Sequence, residues 1–194
     1  MTTQTAPTAA AAEPWTRERV LELSREELIA LWSEAQAVDM AELNGEYEGL
    51  VPNAGDAEAE ARTADVMYNE HSAIGYWLGK AYTPLTETTG DGYNRWRRAG
   101  GTVERNIRFG TEMGPSLIDG KPALLMYYGA YVRADGSQPR STLIDEIRKL
   151  AEGVYLGMGT VEEADGSRSR PGHFAMVGPV GEWVGVDDPD AEIE

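Results

Sequence analysis

The sequence predicts a mainly β protein: an antiparallel barrel carrying an N-terminal helix. Three observations lead there. A capped, amphipathic helix start lies near residue 24. From Tyr76 onward, short apolar runs are dominated by a period of two. Asp-Gly pairs at 91–92, 119–120, 135–136 and 165–166 punctuate those runs, and Asp-Gly favours hairpins because both residues tolerate positive φ. Strands joined this way form a meander rather than βαβ units, and about eight of them can close into a barrel that holds side chains or one small ligand.

Taken in order, residues 1–14 are rich in Ala, Thr and Pro and read as a disordered tail. Ser24 and Glu27 then have capping-box spacing, which satisfies two amides at a helix start. Leu28, Leu31, Trp32 and Ala35 follow on one face, so a helix is expected over 25–37, with an earlier turn after Thr16. Its apolar stripe packs on a sheet. In "ELNGEYEGLV", Leu43, Gly45, Tyr47, Gly49 and Val51 alternate with the other residues as the inward face of a strand. The Ala/Glu-rich stretch 53–72 fits a short helix or a loop. "YWLGKAYTPL", "TVERNIRFG", "ALLMYYGAYV", "GVYLGMGTV" and "HFAMVG" are strand candidates. "TLIDEIRKLAEG" has helical propensity, yet its position before Glu152-Gly153 favours the arm of a hairpin. The domain therefore spans 15–186, and 187–194 is an acidic tail. An NTF2-like α+β cone, also a curved sheet over a pocket, is the alternative fold.

The chain has 194 residues, enough for one hydrophobic core. It carries 33 acidic against 17 basic residues, a net charge of −16. A surface this negative repels phosphate backbones and anionic lipid, so neither nucleic acid nor a membrane surface is an expected partner. The sequence leaves a homodimer open. Without cysteine there is no disulfide and no thiolate metal site, and two separated histidines, His71 and His173, make no His-rich site. No metal or cofactor is expected. No apolar run approaches the length of a membrane helix, and the N-terminus has neither the basic nor the Leu-rich region of a secretion signal, which makes the cytoplasm the default location.

"LNGEYEG" followed by "WLGKAY" resembles the lipocalin-like, GXWXG-type group of small bacterial barrels, in which a Gly-x-aromatic-x-Gly strand opens the barrel. Here Tyr47 stands between Gly45 and Gly49 in place of the tryptophan. "LIDEIRKLAEGVYLGMGT" resembles that group's Asp-containing strand, turn and "LG" strand, through Asp145, Leu156 and Gly157. The resemblance covers residues 43–178 in fragments and implies a barrel with an apolar cavity. It implies no reaction.

Candidate site residues come from polar groups on apolar faces. In a regular strand Arg105 shares a face with Val103, Ile107 and Phe109, where its guanidinium either holds a ligand or pairs with a carboxylate such as Asp145 or Glu146. Tyr127 and Tyr131 face one way and Tyr128 the other, each either a ligand donor or general acid, or ordinary packing with its hydroxyl at the rim. Asp145 shares a face with Leu143 and Ile147, a place where a carboxylate becomes a general acid or base near neutral pH. Structural ion pairing is its plainer role, although Arg148, three residues on, points to the opposite face of a strand. His173 near a strand end is a proton shuttle or a solvated loop residue. Tyr47, Trp77, Lys80 and Tyr155 are further candidate ligand contacts. No P-loop, dinucleotide fingerprint or nucleophile elbow is present.

These readings together lead to the expectation of a small cofactor-independent enzyme. It would be a lyase, isomerase or cyclase, acting by acid–base chemistry on a small apolar or aromatic molecule, with Arg105, Tyr127, Asp145 and His173 as its catalytic candidates. The alternative is a non-catalytic carrier or sensor of a hydrophobic ligand. An enzyme brings two or more ionisable groups to one point in the pocket, whereas a carrier has an aliphatic wall and one anchor.

Overall fold

The structure is a computed structural model that describes residues 14–53, 55–132, 141–187 and 192–193. Two short helices lead in: α1 (Arg17–Glu22) and α2 (Arg25–Trp32). The capping box is formed in full at the start of α2, with Ser24 and Glu27 bonding each other's backbone amides. The helix ends at Trp32, short of the expected residue 37. Then follow β1 (Gly45–Leu50), α3 (Ala57–Met67), β2 (Tyr76–Pro84), β3 (Thr89–Arg97), β4 (Val103–Pro115) and β5 (Pro122–Tyr127). A 3-10 turn at Tyr128–Ala130 precedes β6 (Tyr131–Val132), β7 (Ile144–Ala151), β8 (Val154–Thr160), β9 (Gly172–Gly181) and β10 (Glu192–Ile193).

Eight of these strands close into an antiparallel barrel in the order β1-β2-β3-β4-β5-β7-β8-β9, with β9 returning to β1. β6 and β10 pair separately, so part of the expected acidic tail is engaged in a small sheet. The closed barrel replaces the open cone considered as the alternative. The expected tail 1–14 lies, apart from Pro14, outside the described residues. No helix among the described residues is long and apolar enough to cross a membrane.

The segment 144–151 is a strand. Its pairing with β8 through the turn at Glu152-Gly153 overrides its helical propensity, and Gly153 takes the positive φ of +69° that this turn requires. The Ala/Glu-rich stretch resolves into α3, capped by Asp56. One barrel strand was not expected: β3, because Asp91-Gly92 reads as a turn but lies inside it, while the true turn is at 85–88. Asp119-Gly120 and Asp165-Gly166 do lie between strands. Asp135-Gly136 lies outside the described residues.

Alternation sorts the strand side chains into two cores. Inside the barrel are Tyr47, Trp77, Tyr82, Trp96, Phe109, Met126 and Ile147, among others. Outside, Leu50, Leu156, Met158 and Ala175 form a floor for Val20, Leu28 and Trp32 of the helices. Arg148 fastens this joint. Its side chain is 1% exposed and its fork donates to both carboxylate oxygens of Asp119 (2.6 and 2.8 Å) and to the carbonyls of Trp32, Lys121 and Pro122 (2.8–3.0 Å). The guanidinium also stacks 4.3 Å from the Trp32 ring.

The hydrogen bonds from Arg148 hold the Asp119 carboxyl down to about 2, against an ordinary 3.8. A depressed carboxyl contributes stability above its unfolded value and loses it as pH falls through the folded one. Asp119→Asn is therefore expected to lower stability near pH 7 by about 1 kcal/mol, a figure reduced for the carboxylate's partial contact with solvent. Most of the deficit is lost by pH 2, as the pH falls into the range where the folded carboxyl is protonated. Urea unfolding of both proteins at the two pH values checks this, and a deficit that persisted in full at the lower pH would be incompatible with it.

Candidate active site in the barrel cavity

A cavity of about 610 Å³ occupies one end of the barrel. Its wall is largely apolar, with Trp77, Trp96, Ile107 and Phe174 from the strands and Met67 from α3, which lies across this end. Four polar side chains break the apolar wall at one place: Lys80, Asn94, Tyr128 and Asp145, all buried. Lys80 Nζ lies 3.0 Å from Asp145 Oδ2 and 3.0 Å from Asn94 Oδ1, and it also donates to the Tyr128 hydroxyl. Tyr128 donates in turn to Asp145 Oδ2 at 2.7 Å. Asn94 Oδ1 also accepts from the Trp77 indole (3.2 Å), and its amide donates to the Ile107 carbonyl (3.1 Å).

The rings of Trp77, Phe109, Tyr128 and Phe174 surround the ammonium with their centroids 5.1–5.6 Å away, a geometry that favours a desolvated cation. Burial nevertheless pulls Lys80 below the usual lysine value, with Asp145 opposing that shift. Burial, reinforced by Asp145, pushes the Tyr128 phenol well above 10, so it keeps its proton at neutral pH. Both recorded donors to Asp145 converge on Oδ2, while Oδ1 lies over Gly159. A Cβ at residue 159 would come within 2.4 Å of that oxygen, so glycine there leaves room for the carboxylate.

Local departures from regular strand geometry place these groups. β2 bulges between Trp77 and Gly79, with Gly79 at φ +128°, and this turns both Trp77 and Lys80 inward. A Cβ at Gly79 would lie 2.1 Å from the Tyr47 carbonyl oxygen, so only glycine fits. β4 shifts register opposite Gly92–Asn94, with Ile107 at φ +52°. Facing parity flips there: Ile107 and Phe109 face inward while Arg105 faces outward. In "ALLMYYGAYV" the alternation is unbroken: Leu124, Met126 and Tyr128 face the interior, and Tyr127 faces out.

Of the sequence candidates, then, Asp145, Lys80, Tyr128 and Trp77 come together at the cavity. Arg105 does not. It pairs on the outer face with Glu46 (2.7 Å) rather than with Asp145 or Glu146, and Glu46 also accepts from Tyr93 (3.0 Å). Tyr127 is half-buried on the outer face. Tyr131 is outside too, under the Arg108 guanidinium at 4.2 Å, with Arg108 itself paired to Asp91. Tyr47 and Tyr155 are inside but pack edge-on at 5.7 Å, with Tyr82 beside Tyr47, and none of the three borders the cavity. His173 stands at the cavity rim with both ring nitrogens engaged, by Arg25 at 3.2 Å and by the Pro52 carbonyl. Burial lowers its pKa, and the Arg25 contact fits a neutral ring whose Nδ1 accepts. It is buried rather than a solvated loop residue, and neither of its recorded partners belongs to the Lys80–Asp145 cluster.

Asn94 is the site residue that sequence reasoning missed, because its strand was missed. The alternation of Tyr93, Arg95 and Arg97 with Asn94 and Trp96 was the available signal. Among the described residues, no group of three His, Asp or Glu side chains is placed to hold a metal ion.

No known family profile matches this sequence, and no curated protein matches it. A crystal structure of a protein from Thermomonospora curvata is similar, with a TM-score of 0.51 and 14% identity, over 80% of this chain and 88% of that one. At that identity the likeness concerns the fold alone.

Proposed function

We propose that the protein is a small enzyme that takes an apolar or aromatic molecule into the barrel cavity and transforms it by acid–base chemistry, as a lyase or isomerase. One observation carries this reading: Lys80, Tyr128 and Asp145, three ionisable side chains, meet within hydrogen-bond reach at one corner of an otherwise apolar cavity. Asp145 is the base, receiving a proton at Oδ1. The Tyr128 phenol is the acid. The Lys80 ammonium and the phenol together stabilise negative charge developing on a substrate oxygen, in surroundings where water does not screen them. Asn94 and the ring of aromatic side chains hold Lys80 in place. The set contains a base, an acid and a cation, so the proposal requires no cofactor. The likeness to lipocalin-like barrels supports a cavity that holds a ligand.

A carrier or sensor is the second reading, favoured by the mostly apolar wall. Native mass spectrometry of protein purified from cells, looking for a small molecule that stays bound, supplies the ligand that separates the two. For the enzyme, the ligand is converted, and Asp145→Asn or Tyr128→Phe lowers kcat roughly 10²-fold while binding by the folded variant changes little. If the ligand is released chemically unchanged and both variants bind it like the parent, the acid–base reading is wrong and the carrier stands.

A further inference from the structure

We infer that Lys80 is a Schiff-base lysine and that the cavity takes an aldehyde or ketone with an apolar or aromatic body. This deepens the proposed function and rests on the cavity being the ligand site.

The first argument is the choice of cation. Of the 17 basic residues only three are lysines: Lys80, Lys121 and Lys149. Besides Lys80, the described fold buries one cation, Arg148, paired with Asp119, and the part-buried cations on Glu46, Arg95 and Arg105, are arginines too. Lys121 is exposed and bonded to the Ser33 carbonyl, and Lys149 is part-buried on the outer face, paired with Glu42. Only at the cavity corner is a buried cation an amine. Arginine serves a fixed ion pair at least as well, through its planar fork. What an amine adds is the ability to release a proton and form a C–N bond.

The second argument is the set of neighbours. Asp145 Oδ2, 3.0 Å from Nζ, can receive the proton that frees the lone pair. The amine nitrogen then attacks the carbonyl carbon, and the C=O pair moves to the oxygen, which is protonated by Tyr128 and leaves a carbinolamine. Tyr128 regains its proton from the Asp145 carboxylic acid along their 2.7 Å hydrogen bond. The proton shed by the nitrogen passes back to the departing hydroxyl through the same pair, water leaves, and the nitrogen lone pair forms the C=N bond. In sum, a carbonyl compound and a lysine ammonium give a protonated imine and water, with one positive charge on each side. The iminium N–H remains paired with Asp145 inside the same aromatic surround, so the buried charge balance does not change.

The test is reductive trapping on the intact, folded chain. Limiting cinnamaldehyde is added with sodium cyanoborohydride, and peptide mapping reports the label on each lysine. Lys80 is expected to be labelled at least tenfold faster than Lys121 and Lys149. That preference disappears in urea, where the three are equivalent, and Lys80→Arg removes the cavity label. The comparison is internal to the native chain, so it holds even if that variant does not fold. Lys80 labelled no faster than Lys121 and Lys149 overturns the inference. Quenching of Trp77 and Trp96 fluorescence by cinnamyl alcohol, which cannot form an imine, separates the failures. If the alcohol quenches while Lys80 is not preferred, the imine falls and the ligand site stands. If neither molecule engages the cavity, both fall.

Discussion

Replacing the whole polar corner with apolar groups, in the triple variant Lys80→Met, Asp145→Leu, Tyr128→Phe, is expected to leave the barrel as stable as the parent or more stable, by about 1–4 kcal/mol. Asp145→Leu alone is expected to lose about 3–5 kcal/mol, because it leaves the Lys80 ammonium without its counter-charge and the Tyr128 hydroxyl without its acceptor. For a chain of this size that is a fall in Tm of roughly 10 °C. The asymmetry arises because desolvating two charges offsets most of their attraction, while methyl and methylene groups of similar volume recover packing without that penalty. The triple variant should bind no substrate productively. Thermal melts of the parent, the single and the triple variant decide the matter. A triple variant markedly less stable than the parent would mean that the pair is present for the fold, and the case for a site would lose its main support.

Arg148→Ala should behave in the opposite way, losing about 3–5 kcal/mol with no polar-to-apolar exchange that restores it. The side chain uses all five of its N–H donors, so truncation leaves Asp119 and three backbone carbonyls without their donor. It also removes the stacked plane beneath Trp32, and with it the seat of α2 on the barrel wall. Arg148→Lys should recover less than half of the loss, since one ammonium cannot reach acceptors placed for a planar fork. Urea unfolding measures both. A loss under about 1 kcal/mol for Arg148→Ala would show that the helices hold to the barrel by apolar contact alone.

Comparison of the two clusters shows what was legible in the chain beforehand. The Ser24–Glu27 cap, the inward Tyr47, the inward Asp145 beside Leu143 and Ile147, and the separation of Asp145 from Arg148 all follow from local spacing, and all hold. The misassignments have separate causes. Counting in twos from Phe109 back to Arg105 crosses a register shift, whereas Tyr127 follows the alternation correctly and lies on the face that alternation alone does not identify as outer. A register shift adds or removes one step, and one step moves a side chain to the other face of the sheet. β3 was hidden because Asp91-Gly92, a good turn pair in isolation, is held extended by strands on both sides.

By itself, then, the sequence determined a barrel of short antiparallel strands, the capped helix before it, and a carboxylate facing the interior, because cap spacing and two-residue alternation act over a few neighbouring residues. Only the tertiary structure decided that Lys80, Asn94 and Tyr128 meet Asp145. They come from four separate segments, and their meeting depends on bulges whose conformations are stable only once neighbouring strands are paired.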